Sequence, residues 1–328
     1  MQKIEITENE GNQRLDRFLR KYLPGVPLSL IYRLVRKDVK VNGRRAAADY
    51  MLCVGDEVDI FLDDARIQAA RREREKPKAR RQFRIVFEDE NVLIVEKPFG
   101  LLTHGDSKEK KNTLANQVIG YLAENGAYDP AAAKTFVPAP VNRLDRNTTG
   151  LVAFGKNAGA VRDFNAMLRT GGDVDKYYLT IVKGKLTKEL ILRDRMVKDR
   201  DNNRVAVLPA DGAEGKLMET VAVPVESLGA YTLVEVRLLT GRTHQIRAHM
   251  AEAGHPVIGD AKYGDRNVNR YTEKAFGLTT QFLHAYRMRI NRGEGSLAYL
   301  QGAVFESGLP ENLKRIKEGL QRGEEDKK

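Results

Sequence analysis

With one cysteine, no tryptophan and five histidines among 328 residues, the sequence has few of the side chains that build disulfide frameworks or metal centres. Cys53 alone can form no internal disulfide, Cys-rich zinc site or iron–sulfur cluster, and such sparing use fits a reducing, cytoplasmic setting. It falls on a strand expected to be half-buried, so it is expected to be a core residue rather than a nucleophile. Long apolar runs are missing too. None approaches the ~20 residues of a membrane span, and the opening MQKIEITENEGNQR has no apolar stretch of signal-peptide length. No membrane partner is therefore expected. Neither a phosphate-binding GxxxxGK loop ending in Ser or Thr, nor GxGxxG after a strand, nor HExxH occurs. His244 and His249 stand five apart, an awkward spacing for two ligands on one helical face. No metal and no cofactor is expected.

What the chain has in excess is positive charge. Fifty-six basic against 45 acidic residues leave +11 and a pI near 9.5, while 31% charged and 41% hydrophobic residues are an ordinary soluble mixture. A basic surplus makes nucleic acid the first partner to consider. At ~150 residues per domain the length suggests about two domains. Residues 66–81, RIQAARREREKPKARR, hold eight basic and two acidic residues and almost nothing that could enter a core. Such a segment cannot offset its ordering entropy by burial, so it is expected to be a solvated linker or a phosphate-contacting arm. The expected division is a module at 1–62, a basic linker at 63–82 and a larger domain at 83–328. The sign-mixed tail after Glu311 is expected to be one exposed, fraying helix.

In the small module, RLDRFLRKYL (14–23) places Leu15, Phe18, Leu19, Tyr22 and Leu23 at helical spacing, with Arg14, Arg17 and Lys21 opposite. Ser29 is a suitable N-cap for a second helix, SLIYRLVRKD, whose expected apolar stripe is Leu30, Ile31, Leu34 and Val35. Asn42-Gly43 in VKVNGR signals a hairpin turn, and a further strand pair is expected around MLCVGDEVDIF. From Arg14 to Arg45 ten basic residues face two acidic ones. One sign of charge gathered on two helices and a hairpin suits counterion release from a phosphate backbone. Arg14, Arg17, Arg33, Arg36, Lys37, Lys40 and Arg44 are the candidate RNA contacts. The pattern resembles the alpha-L RNA-binding fold.

The larger domain reads as α+β. FRIVFEDENVLIVEKPFG predicts two strands joined by a turn at Asp89–Asn91; LVAFGKN, KYYLTIVKG, METVAVPVE and YTLVEVRLLT are further strands. Short turns between several of them favour an antiparallel or mixed sheet with flanking helices. AGAVRDFNAMLRT and HQIRAHMAEAG predict helices.

Two polar clusters carry candidate chemistry. VNRLDRNTTGL sets Asp145 between Arg143 and Arg146. Its plain account is an Asx-turn whose carboxylate bonds nearby amides; its sharper one is a carboxylate kept ionised by its arginines for use as a nucleophile or base. TGRTHQIRAH places Arg242 in a loop and Arg247 one turn into a helix, and each offers a planar fork for a carboxylate or phosphate.

KPFGLLTH (97–104), NRLDRNTTGL (142–151), KYYLTIVKG (176–184) and GRTHQIRAHMAEAGHPVIGDAKYGD (241–265), followed by LHAYRM, together resemble the successive motifs of the RluA-type pseudouridine synthases. GVPLSLIYRLVRK and GDRNVNR…FGL…FLHA favour the C-type branch, which acts on large-subunit (23S) ribosomal RNA. The resemblance implies an isomerase that breaks the C1′–N1 bond of uridine in RNA, turns the base and rejoins C1′ to C5, without cofactor or metal. It implies Asp145 as the essential carboxylate and Tyr178, with Tyr177 as rival, as the tyrosine against the target base. Arg247, with Arg242 as fallback, would pair with the carboxylate. Arg143 would fill the gap left by the extruded nucleotide, and Lys97, His104, Leu144 and Arg242 join it as substrate contacts. Asn142 stands where many members carry His. His104, His249 and His255 have phosphate contact or loop bracing open to them, bracing being the simpler. The implied partner is 23S ribosomal RNA or a large-subunit assembly intermediate, with no obligate protein partner. Two other readings stay open: a non-catalytic RNA-binding assembly factor, and a glycoside- or nucleoside-cleaving hydrolase. The hydrolase would need a second carboxylate within ~5–10 Å, for which Asp260 and Asp265 are candidates.

Overall fold

Strand β1 (Gln2–Glu5), the short β2 (Gln13–Arg14), helices α1 (Leu15–Tyr22) and α2 (Leu28–Lys37), then β3 (Val39–Val41), β4 (Met51–Leu52) and β5 (Glu57–Ile60) share one hydrophobic core. These assignments come from a computed structural model that describes residues 1–62, 79–199 and 204–325. The expected linker therefore lies, over 63–78, outside the described residues. Leu15, Phe18, Leu19 and Tyr22 make the buried stripe of α1, and Ile31, Leu34 and Val35 that of α2, whereas Leu30 is exposed. α2 starts two residues earlier than expected. Pro27, not Ser29, is its N-cap, at φ −59, and a missing N–H costs nothing where helix amides are unpaired anyway.

Asn42 and Gly43, at φ 52 and 74, form the two-residue hairpin turn, with Val41 and Arg44 exchanging both backbone hydrogen bonds. The strands around MLCVGDEVDIF do not pair with each other. β4 pairs with β2, and β5 lies between β1 and β3. Asp56 accepts the Cys53 N–H and holds the turn that redirects the chain. Cys53 lies in that turn and is exposed, contrary to the core position expected for it.

The larger part is built on one mixed sheet from β6 (Arg84–Glu88), β7 (Val92–Lys97), β8 (Ala139–Pro140), β9 (Thr149–Gly155), β10 (Val174–Lys183), β11 (Leu190–Asp199), β12 (Arg204–Leu208), β13 (Lys216–Leu228), β14 (Tyr231–Leu238), β15 (Leu283–Ile290) and β16 (Val304–Glu306). Its order is β12-β11-β13-β14-β10-β15-β9-β7-β6, with β16 on β15 and β8 on β9. The β9–β15 pair is parallel and the other pairs are antiparallel. At the parallel junction a Cβ on Gly150, φ 109, would lie 2.1 Å from the Ala285 carbonyl oxygen. Only glycine lets β9 enter there.

Strand alternation covers both faces of the sheet. Leu93 and Val95 of β7 face a core shared with α3 (Leu114–Glu124) and α5 (Gln245–Glu252); Val92 and Ile94 face one shared with α4 (Ala158–Thr170). Two more helices follow, α6 (Arg266–Phe276) and α7 (Glu311–Glu325). The tail helix is not merely exposed, because Leu313, Ile316 and Leu320 dock against Ile258, Leu278 and Phe282. Their three- and four-residue spacing is concealed by the close mixture of charges around them.

Candidate active site

Asp145 sits on the loop that leads into β9, and two earlier residues fasten that loop. The Thr103 hydroxyl donates to the Leu144 carbonyl at 3.0 Å and accepts the Leu144 N–H at 3.2 Å. Lys97, fully buried, donates to the carbonyls of Pro98, Leu101 and Arg146 at 3.0, 2.8 and 2.9 Å. Burial pulls the Lys97 ammonium down to about 7, with Asp145 acting in the opposite sense. Three carbonyl acceptors occupy its three protons, so this side chain holds the Asp145 loop and has none left for a substrate. It was expected as a substrate contact; the structure makes it a brace.

The two arginines beside Asp145 in the sequence are not its partners. Arg146 pairs with Asp106 at 3.3 Å, and exposed Arg143 makes no hydrogen bond among the described residues. Arg247, from the first turn of α5 and with its side chain 7% exposed, supplies the contact instead: its Nη1 donates to Asp145 Oδ2 at 3.1 Å. Asp260 sets the guanidinium at that angle by accepting Nε at 2.6 Å and Nη2 at 2.8 Å. Burial alone would push the Asp260 carboxyl up, but Arg247 and the amides of Lys262 and Tyr263 outweigh it and hold the group below its usual range. Asp145 Oδ1 has no hydrogen bond among the described residues, and no amide bonds to this carboxylate, so the Asx-turn account fails. Arg242 is exposed, bonds the Leu217 carbonyl and does not reach Asp145.

The carboxylate opens into a cavity of about 440 Å³ lined by His104, Arg143, Leu144, Arg146, Lys198, His244, Lys262 and the segment 279–281. That volume is within the ordinary range for a small-ligand site. Lys198, His244 and Lys262 carry no spacing that marks them as neighbours of Asp145; the hairpin of β11 and β12, the N-cap of α5 and the loop after Asp260 bring them there. Tyr178 is buried in the core cluster that holds Leu144, where burial, then the charge of Asp145, keeps its phenol protonated. Tyr177 points to the other face of β10, toward Asp175 and Arg287. Of the two tyrosines, Tyr178 is the one beside the carboxylate.

His104 lines the cavity, while His249 and His255 brace, by contacts to Thr220 and to the Lys183 carbonyl. Asn142 spans two rungs of β9, donating to Leu151 and accepting from Ala153, so it serves the strand and not the cavity. Neither second carboxylate is free to protonate a leaving group. Asp260 is held by Arg247, and Asp265, bonded to Lys183 and capping α6, is pulled down to about 2. In the amino-terminal part Arg14, Arg17, Arg33, Arg36, Lys37, Lys40 and Arg44 are all exposed, and Arg14 is tied to Asp16.

The fold sets one carboxylate, oriented by a buried arginine, in a pocket rimmed with cations. The profile of the RNA pseudouridylate synthase family matches residues 91–252. The chain is 34% identical over 325 residues to the ribosomal large subunit pseudouridine synthase C of Vibrio vulnificus (strain CMCP6), covering 98% of this chain and 96% of that one. It is 35% identical over 329 residues to the same-named protein of Escherichia coli (strain K12), covering 96% of each. Among solved structures, human RNA pseudouridylate synthase domain containing 4 shares the fold at TM-score 0.57 and 21% identity, over 72% of this chain and 92% of that one. The chain belongs to the RNA pseudouridylate synthase family, isomerases that convert uridine to pseudouridine within RNA.

Proposed function

We propose that this protein converts uridines of large-subunit (23S) ribosomal RNA, free or in an assembling particle, to pseudouridine in the cytoplasm, with Asp145 as the catalytic carboxylate. The observation that carries the assignment of Asp145 is the division of labour between its oxygens: Oδ2 is held by Arg247, and Oδ1, in a side chain that lines the cavity, has no hydrogen-bond partner among the described residues. Attack on C1′ and removal of the 2′ proton both require an unengaged carboxylate oxygen, so this arrangement serves either first step. A uridine must leave its stack to be turned over, at a cost of a few kcal/mol. Arg143, exposed at the mouth, has a planar group suited to filling the gap. Tyr178, buried beside Asp145 and not on the cavity wall, backs the site with a phenol that burial keeps protonated. The exposed cations of residues 1–62 hold the RNA backbone by counterion release. The likeness to proteins named for the large subunit supports the choice of substrate. A purely RNA-binding factor has no use for an Asp260–Arg247 pair buried to hold Asp145 at the cavity wall.

The test is pseudouridine mapping of large-subunit RNA from cells with the gene, without it, and with Asp145→Asn. Sites present only with the wild-type gene are expected. Unchanged modification in the Asp145→Asn strain would rule out the assigned chemistry, and unchanged large-subunit RNA in the deletion strain would rule out the assigned substrate.

A further inference from the structure

Helix α5 begins on a residue in a strained conformation. His244, its N-cap, lies in the left-handed region at φ 54 and ψ 18, where a side chain bearing a Cβ is seldom found. The turn drives its ring inward. The side chain is 9% exposed and Nε2 stands 3.8 Å from Asp145 Oδ2, the same oxygen that Arg247 Nη1 bonds. Nδ1 lies 3.0 Å from the Tyr263 hydroxyl, which already accepts the Val205 N–H at 2.8 Å. The hydroxyl's own proton has one acceptor among the described residues, the Nδ1 lone pair. A ring that accepts at Nδ1 carries its proton on Nε2. Tyr263 is fixed in turn, with the Arg247 guanidinium 5.3 Å from its ring centroid and that of Arg204 at 6.0 Å.

The charged groups facing His244 are Asp145 from the loop before β9, Arg247 on its own helix, and Asp260 and Lys262 from the loop beyond. Burial and the two cations hold the ring below the usual histidine range against the two carboxylates, so it is neutral at neutral pH. We infer that His244 is a positioning residue for pseudouridine formation: held in the Nε2–H tautomer by Tyr263, it aims a second donor at Asp145 Oδ2, so that Arg247 and His244 together reserve Oδ1 for the ribose. At 3.8 Å the contact is too long for a hydrogen bond, and contacts of this kind tighten once substrate fills the site. The inference rests on Asp145 being the catalytic carboxylate.

Nitrogen NMR of the ¹⁵N-histidine-labelled full chain reads the tautomer directly, with the His244 signal assigned by its loss in His244→Gln. The wild type is expected to show protonated Nε2 and bare Nδ1 at pH 7.5, and Tyr263→Phe a mixture of tautomers. Single-turnover rates on large-subunit RNA are expected to fall about 10- to 100-fold in His244→Ala and less in Tyr263→Phe, with RNA affinity within twofold. His244→Gln, which keeps an N–H of similar reach, should recover most of the loss. A proton on Nδ1, a charged ring, or a Gln variant no faster than Ala would overturn the inference. Asp145→Asn, assayed alongside, separates the two readings. Full activity in that variant removes the role of Asp145 and this inference with it; a dead Asp145→Asn beside a fully active His244→Ala removes only the role of His244.

Discussion

The two charged regions of this protein use charge in opposite ways. In residues 1–62, Arg17, Arg33, Arg36, Lys37, Lys40 and Arg44 stand in solvent, and even the Arg14–Asp16 pair leaves the Arg14 side chain 46% exposed. Around Asp145, Arg247 is buried and shared between two carboxylates, and Lys97 is enclosed with all its protons engaged. Exposed pairs are worth about 0–1 kcal/mol because water and salt compete for them. A buried charge that loses its partner is left uncompensated, at a cost of about 3–5 kcal/mol. The amino-terminal cations are therefore fitted to long-range, sequence-tolerant attraction to a polyanion. Those of the cavity are fitted to holding one carboxylate at one angle. The contrast predicts that replacing cavity charges changes rate and stability, while replacing surface charges changes affinity and its salt dependence.

The sharpest attempt to break this contrast is Asp145→Asn. Pseudouridine formation should drop by at least about 10³-fold with RNA affinity within twofold, measured as single-turnover conversion and filter binding on the same RNA; a normal rate refutes it. Next in size is Asp260→Asn, which leaves the Arg247 guanidinium with half its support. A loss of about 3–5 kcal/mol is expected in urea unfolding at pH 7, together with a slower rate. The pH dependence has a definite sign. The Asp260 carboxyl lies below its unfolded value, so its contribution is complete above the unfolded pKa near 4 and disappears as pH falls through the folded one. The gap between wild type and Asp260→Asn should thus close in acid and persist on the alkaline side, and a gap that stays constant down to pH 2 contradicts the assignment.

A third, smaller effect belongs to the other region. Changing Arg33, Arg36 and Lys37 together to Ala should weaken RNA binding about 10-fold near 0.1 M salt and flatten the slope of log K against log salt by about 0.7 for each phosphate no longer neutralised. Stability and the rate at saturating RNA should hardly move; an unaltered slope would show that this face does not touch RNA. Smallest of all is Arg242→Ala. Arg242 is exposed and its guanidinium bonds the Leu217 carbonyl, so less than a twofold change in conversion rate is expected, and a tenfold loss would place it in the site after all.

Much of the candidate site is legible along the chain. Motif order singles out Asp145, Arg247 and Tyr178 but leaves Tyr177 as a rival, and only the folded sheet sets Tyr178 beside Asp145 and Tyr177 toward Arg287. Where sequence and structure part, the cause is shared. Arg143 and Arg146 flank Asp145 along the chain but turn to solvent and to Asp106, while its partner arrives from α5. Lys97 reads as a substrate contact because its motif accompanies the others, and only its enclosure by three carbonyls shows it to be a brace. The parts played by Asp260, Thr103 and Tyr263 depend on which atoms they meet, and no spacing encodes that. Leu313, Ile316 and Leu320 do carry a periodic signal, hidden among dense charges.

Local chemistry, written along the chain, determined the elements of this protein: apolar periodicity, the Asn42-Gly43 turn, the motifs and the basic surplus all depend on neighbours a few residues apart. The tertiary structure alone decided which charges meet. An ion pair depends on distance and on exclusion of water, and both arise only when the sheet brings residues 97, 145, 247 and 260 together around one buried point.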